Sequence, residues 1–449
     1  MLNKKNSRIK TIIFFIFPLI FTIANSSFSI TSAFARENND NNYKYDREYL
    51  QGRKNEFIIN NGDLIIREFI IRGAKKTRPS LILNQTDTKP GQPLSTFNSH
   101  EFVNRLKKKN IFSDIEINYI NSSGSAVIEI VLTEKWTIIP IPMFSSNSRN
   151  TAYGLYILES NLMGYGKTLF TGGTWSNSGW SGILGYIDPS LLSTNARLNL
   201  FLIYKNFIYQ NGDLEGNLLR EYRSVEQKAR MDLGYGFRNR YFFYISGGYE
   251  SSSVDKKYEE NLNIPEEQKN YKAGLLFNIN RLKYYEYLFY GLAMQSGFYE
   301  HIPADKDYDR YMIWEFKMNW SFKVFSFHRL SFIASGSYGD TPVIARERIG
   351  GRDGFRTIPA DIITSDKYAS GTVSYELPFL RYRWGTVTLL TFWEQGIFKN
   401  NDDSKTFYGP GAGILFYMKR LAIPALGFNY ARNLKTETNE FSVSAGFTF

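Results

Sequence analysis

Alternating apolar and polar residues dominate the chain from Trp136 onward. In one run, Trp314, Phe316, Met318 and Trp320 alternate with Glu315, Lys317 and Asn319. Successive strand residues point to opposite faces, so one face suits lipid and the other water. The same period recurs in Leu198, Leu200, Leu202 and Tyr204, and in Leu330, Phe332, Ala334 and Tyr338. Strand starts counted back from the C-terminus fall near residues 138, 152, 166, 180, 194, 226, 241, 269, 287, 311, 328, 367, 385, 408, 423 and 441. This predicts about 16 antiparallel strands, an even number as bacterial barrels require. With both termini in the periplasm, odd-to-even connections lie outside. They include the long stretches 206–225, 252–268 and 340–366, whereas even-to-odd turns such as Arg238-Asn239-Arg240 are short.

A different pattern precedes the barrel. Lys4, Lys5, Arg8 and Lys10, the apolar segment Thr11 to Ile23 and the small-x-small site Ala33-Phe34-Ala35 read as a signal peptide over 1–35. The apolar segment has about 13 residues, against about 20 for a spanning helix. Any membrane span must then be made of strands. Residues 36–60 are polar, without periodicity, and read as a flexible leader. A compact unit occupies 61–135. A strand from Leu64 to Arg72 ends at Gly73, a short helical piece lies near Pro79 to Asn84, and Phe102, Val103 and Leu106 mark one face of a second helix. Strands 112–120 and 126–134 close it around a turn at 121–125. The expected fold is an all-β transmembrane barrel over 137–449 preceded by one small α+β (βααββ) domain.

Composition agrees with this and removes most chemistry. The chain of 449 residues has no cysteine, which excludes disulfides, thiolate metal sites and cysteine nucleophiles. His100, His301 and His328 lie far apart and near no carboxylate cluster. The formal charge of +11 is read as scattered over polar faces and loops rather than as a nucleic-acid footprint. The 31 Tyr, 36 Phe and 7 Trp stand in a chain of negative mean hydropathy, as aromatic girdles around a polar lumen demand. Gly409-Pro410-Gly411-Ala412-Gly413 lacks the ending of a phosphate loop and reads as small residues facing a crowded wall. No catalytic, cofactor-binding or metal residues are assigned, and the chain is read as a non-enzyme.

Several motifs resemble one family. Between two strand-like runs, Arg348-Ile349-Gly350-Gly351-Arg352-Asp353-Gly354-Phe355-Arg356-Thr357-Ile358-Pro359 resembles the loop that folds back into the lumen of BamA/TamA-type (bacterial surface antigen) barrels. The usual ending there is Arg-Gly-Tyr or Arg-Gly-Phe, so Arg356 is kept and the two residues after it are not. Glu159 to Gly166 is similar to the family's Asn-Leu-x-Gly-x-Gly turn, and Tyr186-Ile187-Asp188-Pro189 to its Asp-Pro turn. The βααββ order, with Lys89-Pro90-Gly91-Gln92-Pro93-Leu94, Asn110 to Ile115 and a final Glu134, looks like a POTRA domain. Its physical implication is a small sheet with an edge able to accept an extended segment by strand addition; a capped edge would leave it a spacer.

Three candidate sites follow. Thr386, Thr388, Leu390, Phe392 and Glu394 share one strand face and Val387, Leu389 and Trp393 the other, which turns Glu394 inward. Phe392-Trp393-Glu394-Gln395-Gly396 resembles the family's Phe-x-Asp-x-Gly segment, whose acid pairs with the loop arginine, here Arg356 beside Gly350 and Gly351. Arg352 is a rival partner, and separate solvation of the two charges is the alternative. The second site is a seam of Pro140, Pro142, Phe441 and Val443. Prolines two apart remove N–H donors from one edge of the first strand, which weakens the seam if that edge faces the last strand and only marks a strand entrance if it does not. The third is the C-terminal alternation ending in Phe447 and Phe449, which resembles a barrel targeting signal.

The resemblance implies an outer-membrane protein of a Gram-negative-type envelope, with residues 36–135 periplasmic, that inserts or translocates polypeptides. Its partners would be unfolded or extended clients, outer-membrane lipid and a periplasmic protein met through 61–135, with no nucleic acid and no cofactor. The alternative is a passive channel or surface-exposed structural barrel of the same fold.

Overall fold

The computed structural model describes residues 63–444 apart from 110, 148, 192–193, 238–239, 258–266, 286–287, 306–307, 326, 361, 384, 401–402 and 419–423. The signal peptide, the leader and the candidates Phe447 and Phe449 lie outside the described residues.

The N-terminal unit is built of β1 (Ile65–Arg72), α1 (Pro79–Leu83), a 3-10 turn (Leu94–Thr96), α2 (Ser99–Lys108), β2 (Phe112–Ser122) and β3 (Ser125–Glu134). Pro79 opens α1, where its fixed φ suits a first turn. Asn98 caps α2 by accepting from Glu101 N at 3.0 Å. The β2–β3 turn is tighter than expected: Ser122 pairs with Ser125, so only Ser123 and Gly124 turn, both at positive φ (52° and 79°). Left-handed backbone at both central positions matches the strand twist of a two-residue hairpin. The sheet order is β1-β3-β2, with β1 parallel to β3. Ile66, Ile82, Leu94, Phe102, Leu106, Ile128 and Ile130 fill its core. Backbone bonds from Ile66 N to Gln92 O and from Leu94 N to Leu64 O cover the start of β1's outer edge. The outer edge of β2 has no strand beside it among the described residues.

The remaining long strands are β4 (Ile138–Asn147), β5 (Thr151–Leu162), β6 (Lys167–Ser176), β7 (Gly179–Asp188), β8 (Ala196–Gly212), β9 (Leu218–Phe237), β10 (Tyr241–Lys257), β11 (Gln268–Asn280), β13 (Leu288–Pro303), β14 (Tyr311–Val324), β15 (His328–Gly339), β18 (Tyr368–Arg381), β19 (Gly385–Asn400), β20 (Asp403–Met418), β21 (Pro424–Arg432) and β22 (Asn439–Ser444). They close a 16-stranded antiparallel barrel in chain order. A three-residue strand, β12 (Lys283–Tyr285), pairs back on the start of β13. Two more, β16 (Glu347–Ile349) and β17 (Ile363–Ser365), pair within the β15–β18 connection. Side chains alternate as a lipid-facing wall requires. On β19, Thr388, Leu390, Phe392 and Glu394 are buried and Trp393 is exposed; on β9, Met231, Leu233 and Tyr235 are exposed around buried Asp232.

The expected long loop at 206–225 is mostly strand. Strand β8 runs to Gly212 and β9 starts at Leu218, so the hairpin stands well beyond the 9–11 or so residues that cross a bilayer. Its outward face is polar because it meets water: Gln210 Nε2 donates to Glu221 at 2.6 Å and Arg223 Nη1 to Asn206 at 3.1 Å. Its inward face packs Phe207, Tyr209 and Tyr222. Likewise β10 continues to Lys257 and β11 begins at Gln268, which shortens the expected 252–268 loop.

The N-terminal unit sits against one rim, called here the near rim, and grips the β5–β6 turn. Arg78 N donates to Gly164 O at 3.0 Å, Asn161 Nδ2 to Thr77 Oγ1 at 2.9 Å, and Lys76 Nζ lies 2.5 Å from Glu159 Oε2. A Cβ on Gly164 would run into the Lys76 carbonyl, and φ there is +80°, so this turn needs glycine for two reasons. Glu134 shapes the other partner. Its carboxylate accepts from the backbone N–H of Lys75, Lys76 and Thr77 at 2.6–3.1 Å. Partial burial alone would raise its affinity for a proton, but the Thr77 hydroxyl and the three amides outweigh burial and hold the carboxyl below its ordinary value. A carboxyl depressed on folding contributes order that is present above its unfolded pKa, about 4.3, and lost as pH falls through the lower folded value. Amide exchange at Lys76 and Thr77 should therefore be slow at neutral pH and rise as pH drops below about 4. It should be fast at every pH in Glu134→Gln; equal protection in the variant would show that the carboxylate does not hold this turn.

Candidate functional site

Glu394 projects from β19 into the lumen with no exposed surface. Its two oxygens accept from Gly354 N at 3.0 Å, Arg356 N at 2.7 Å and Arg356 Nε at 2.7 Å, and Thr372 Oγ1 lies 3.4 Å away. The β15–β18 connection thus hangs on one carboxylate by two backbone amides and one guanidinium. Arg356 also meets Asp353 at 3.2 Å and lies 3.5 Å from the centroid of Phe392. The Phe392 ring in turn occupies the space above Gly411, its register partner on β20, where any Cβ would strike the ring. That gives a role to the glycine-rich 409–413 run beyond general crowding.

The loop reaches Glu394 because its glycines bend it. Gly350, Gly351 and Gly354 have φ of 116°, 67° and 90°. Gly351 N donates to Phe355 O at 2.9 Å and Phe355 N to Arg352 O at 2.7 Å, which closes a turn around 351–355. Phe355, Ile358, Ile362 and Ile363 then pack with Phe398 and Phe407 of the wall and with Leu214 from the β8–β9 connection. Ile358, in the position where the family has an aromatic, is fully buried in this cluster. Arg352 does not compete for Glu394. It pairs with Glu347 at 2.6 Å, and Tyr368 OH also hydrogen-bonds Glu347.

On the opposite wall the lumen carries a row of charges that no sequence motif marks. Glu226 lies 3.7 Å from Lys205 and 3.9 Å from Lys228, and Glu250 lies 3.9 Å from Lys228 and 3.6 Å from Lys272. The two-residue strand period places them inward, but the cross-strand register that makes them alternate in sign is not visible in one sequence. Tyr209 hydrogen-bonds Glu226, and Arg348 of the loop stacks 3.6 Å over the Tyr209 ring. A cavity of about 360 Å³ separates this row from the loop. The histidines stay apart: His301 lies beside Glu250, His328 hydrogen-bonds Tyr375, and His100 sits on α2.

The seam between β22 and β4 pairs Ser442–Ser444 with Ser145–Asn147, whereas β4 pairs with β5 from Ile138 to Ser146. Asn147 N donates to Asn150 O, and Ser160 N to Thr137 O, in one unbroken register, so odd-numbered residues of β4 turn their backbone groups to β5. Pro140 and Pro142 therefore lack their N–H groups on the edge facing away from β5. Val443 pairs with Ser146 across the seam, and Phe441 stands against Tyr430 of β21, ring centroids 5.5 Å apart.

These features define a class: a closed transmembrane β-barrel with a loop folded into its lumen and a small three-stranded unit at one rim. Among solved structures, the fold is shared with BamA from Haemophilus ducreyi lacking POTRA domains 1–3, at TM-score 0.65 and 15% identity, covering 86% of this chain and 85% of that one. It is shared also with CdiB from Escherichia coli at TM-score 0.59 and 13% identity, covering 86% and 77%. CdiB from Acinetobacter baumannii follows at 0.56 and 12%, covering 86% and 74%. No protein-family model and no curated protein matches the sequence.

Removing either partner from the Arg356–Glu394 contact leaves a buried charge uncompensated, a loss of about 3–5 kcal/mol. Glu394→Ala also releases the amides of Gly354 and Arg356. Limited proteolysis of the folded barrel should therefore cut within 340–367 faster in Arg356→Ala and fastest in Glu394→Ala, with the double variant no faster than Glu394→Ala. Additive rates would show that the two residues hold the loop independently.

Proposed function

We propose that this protein handles other polypeptides at the outer membrane, inserting them into the bilayer or passing them across it. The near rim then faces the periplasm, and residues 36–135 are periplasmic. The observation that carries the reading is the asymmetry of β4: one edge is fully paired with β5, while the other lacks the N–H groups of Pro140 and Pro142 and, among the described residues, is held to β22 only at Ser145–Asn147. Each absent ladder bond lowers the cost of parting the strands, and an exposed strand edge is a template for an incoming strand. The outer edge of β2, which has no strand beside it among the described residues, supplies a second such template beneath the barrel, where an extended client or a periplasmic partner could add. The resemblance of the lumen loop and the N-terminal unit to BamA/TamA-type factors and two-partner secretion transporters supports the same reading.

Ser146 and Val443 face each other across the seam, and paired strand residues have Cα separations of roughly 4.5–5.5 Å, within disulfide reach. Cells whose only copy is Ser146→Cys/Val443→Cys should, when oxidised, show the same change in outer-membrane or secreted proteins as cells lacking the protein. They should recover on reduction, with heat-modifiable barrel present throughout. An unchanged proteome in both strains, together with a large steady conductance that survives deletion of residues 61–135, would favour the passive channel instead.

A further inference from the structure

The two rims of the barrel differ in charge. Near-rim turns and the strand ends beside them carry Arg240, Arg281, Lys283, Lys323, Arg381 and Arg383, all exposed. Outside the lumen loop, the described far-rim connections carry Asp213, Glu215, Glu267, Asp305, Asp309, Asp340 and Glu437 against Arg149, Arg310, Lys367 and Lys435. The formal +11 is thus not evenly spread. Of the near-rim cations, Arg240, Arg281, Lys283 and Arg383 form no ion pair among the described residues. Aromatic residues interleave with them: Phe325 is 78% exposed, Phe379 60% and Tyr382 49%. Phe325 adopts φ 53°, a left-handed conformation that a bulky side chain rarely takes, at the tip of the β14–β15 turn. Next to it the Phe327 ring gathers two cations, with the Arg381 guanidinium 3.8 Å and the Lys323 ammonium 5.9 Å from its centroid.

We propose that the near rim is a collar that binds the anionic phosphate headgroups of the phospholipid leaflet it faces. Exposed aromatic rings settle at the level where acyl chains meet headgroups, and cations one residue away then lie in the headgroup layer. Acidic groups are scarce in these turns, so the field there is of one sign and attracts anions from the membrane plane. The acidic far rim would repel them. An asymmetric collar of this kind sets the height of the barrel in the bilayer and enriches acidic lipid along the β9 to β19 side of the near rim, across the barrel from the seam. Assigning that leaflet to the periplasmic side rests on the functional reading above, but the lipid preference does not.

The full chain reconstituted in phosphatidylcholine vesicles, with trace spin-labelled phosphatidylglycerol or phosphatidylcholine, reads the preference directly as a ratio of association constants. Each Lys or Arg at an anionic surface is worth about fivefold. Wild type should select phosphatidylglycerol at least about fivefold, and 1 M salt, where the screening length is about 3 Å, should abolish the selection. Arg240→Gln/Arg281→Gln/Arg383→Gln should bring the ratio towards unity. Lys269→Gln/Arg310→Gln/Lys435→Gln, which removes far-rim cations, should leave it unchanged, with heat-modifiable migration confirming both variants as folded. No selectivity in wild type, equal selectivity in wild type and the near-rim variant, or equal loss in both variants overturns the proposal. Capture of a poly-glutamate peptide that depends on the near-rim cations, without lipid selectivity, overturns it too, because the rim would then be a protein-docking face.

Discussion

A buried carboxylate with three N–H donors fixes the interior of this barrel. Glu394 could not stand in the lumen wall fully covered unless it were compensated, because an isolated charge in a low-dielectric site costs several kcal/mol. Compensation comes from a single connection, through Arg356 and the amides of Gly354 and Arg356. The pair adds little net stability, as buried ion pairs often do, since desolvation offsets the attraction. Its consequence is geometric: any position of the loop other than this one leaves the carboxylate unpaired.

The surrounding features make that position reachable. Three glycines at positive φ let the chain turn back into the lumen, and Gly411 leaves room for the Phe392 ring on which the Arg356 guanidinium rests. The apolar cluster of Phe355, Ile358, Ile362 and Ile363 against Phe398 and Phe407 then excludes water around the pair. The tall β8–β9 hairpin supplies Leu214 from the other side, so the hairpin height and the loop position are one packing problem.

Much of this arrangement is legible in the amino-acid sequence, and the limits have physical causes. The two-residue period of Thr386 to Glu394 is enough to turn Glu394 inward, because strand parity is strict. The strand starts follow for the same reason. The β8–β9 hairpin is not legible as strand, because above the membrane its outward face is polar, and residues such as Gln210, Glu221 and Arg223 look like loop composition. The preference for Arg356 over Arg352 comes from the family resemblance; Glu347, which takes up Arg352, is close in sequence but carries no motif. Gly164 of the β5–β6 turn is visible, yet its task, admitting the backbone of Lys76 and Arg78, depends on how a separate unit docks.

The loop also bears on how the seam could open. It is tied to β19 through Glu394 and to β8 through the hydrogen bond from Gly212 N to Ile362 O and the stacking of Arg348 on Tyr209. In the closed strand order β8 and β19 stand opposite one another, so the loop braces the barrel across its width. The β22–β4 seam lies within one of the two arcs between these anchors. An outward movement of β4 or β22 therefore strains that arc alone, while the charged wall of β9–β11 and its cavity keep their shape. On the proposed function, a weak seam and a strong loop anchor would be one design: the first would localise an opening, and the second would confine the deformation to the strands beside it.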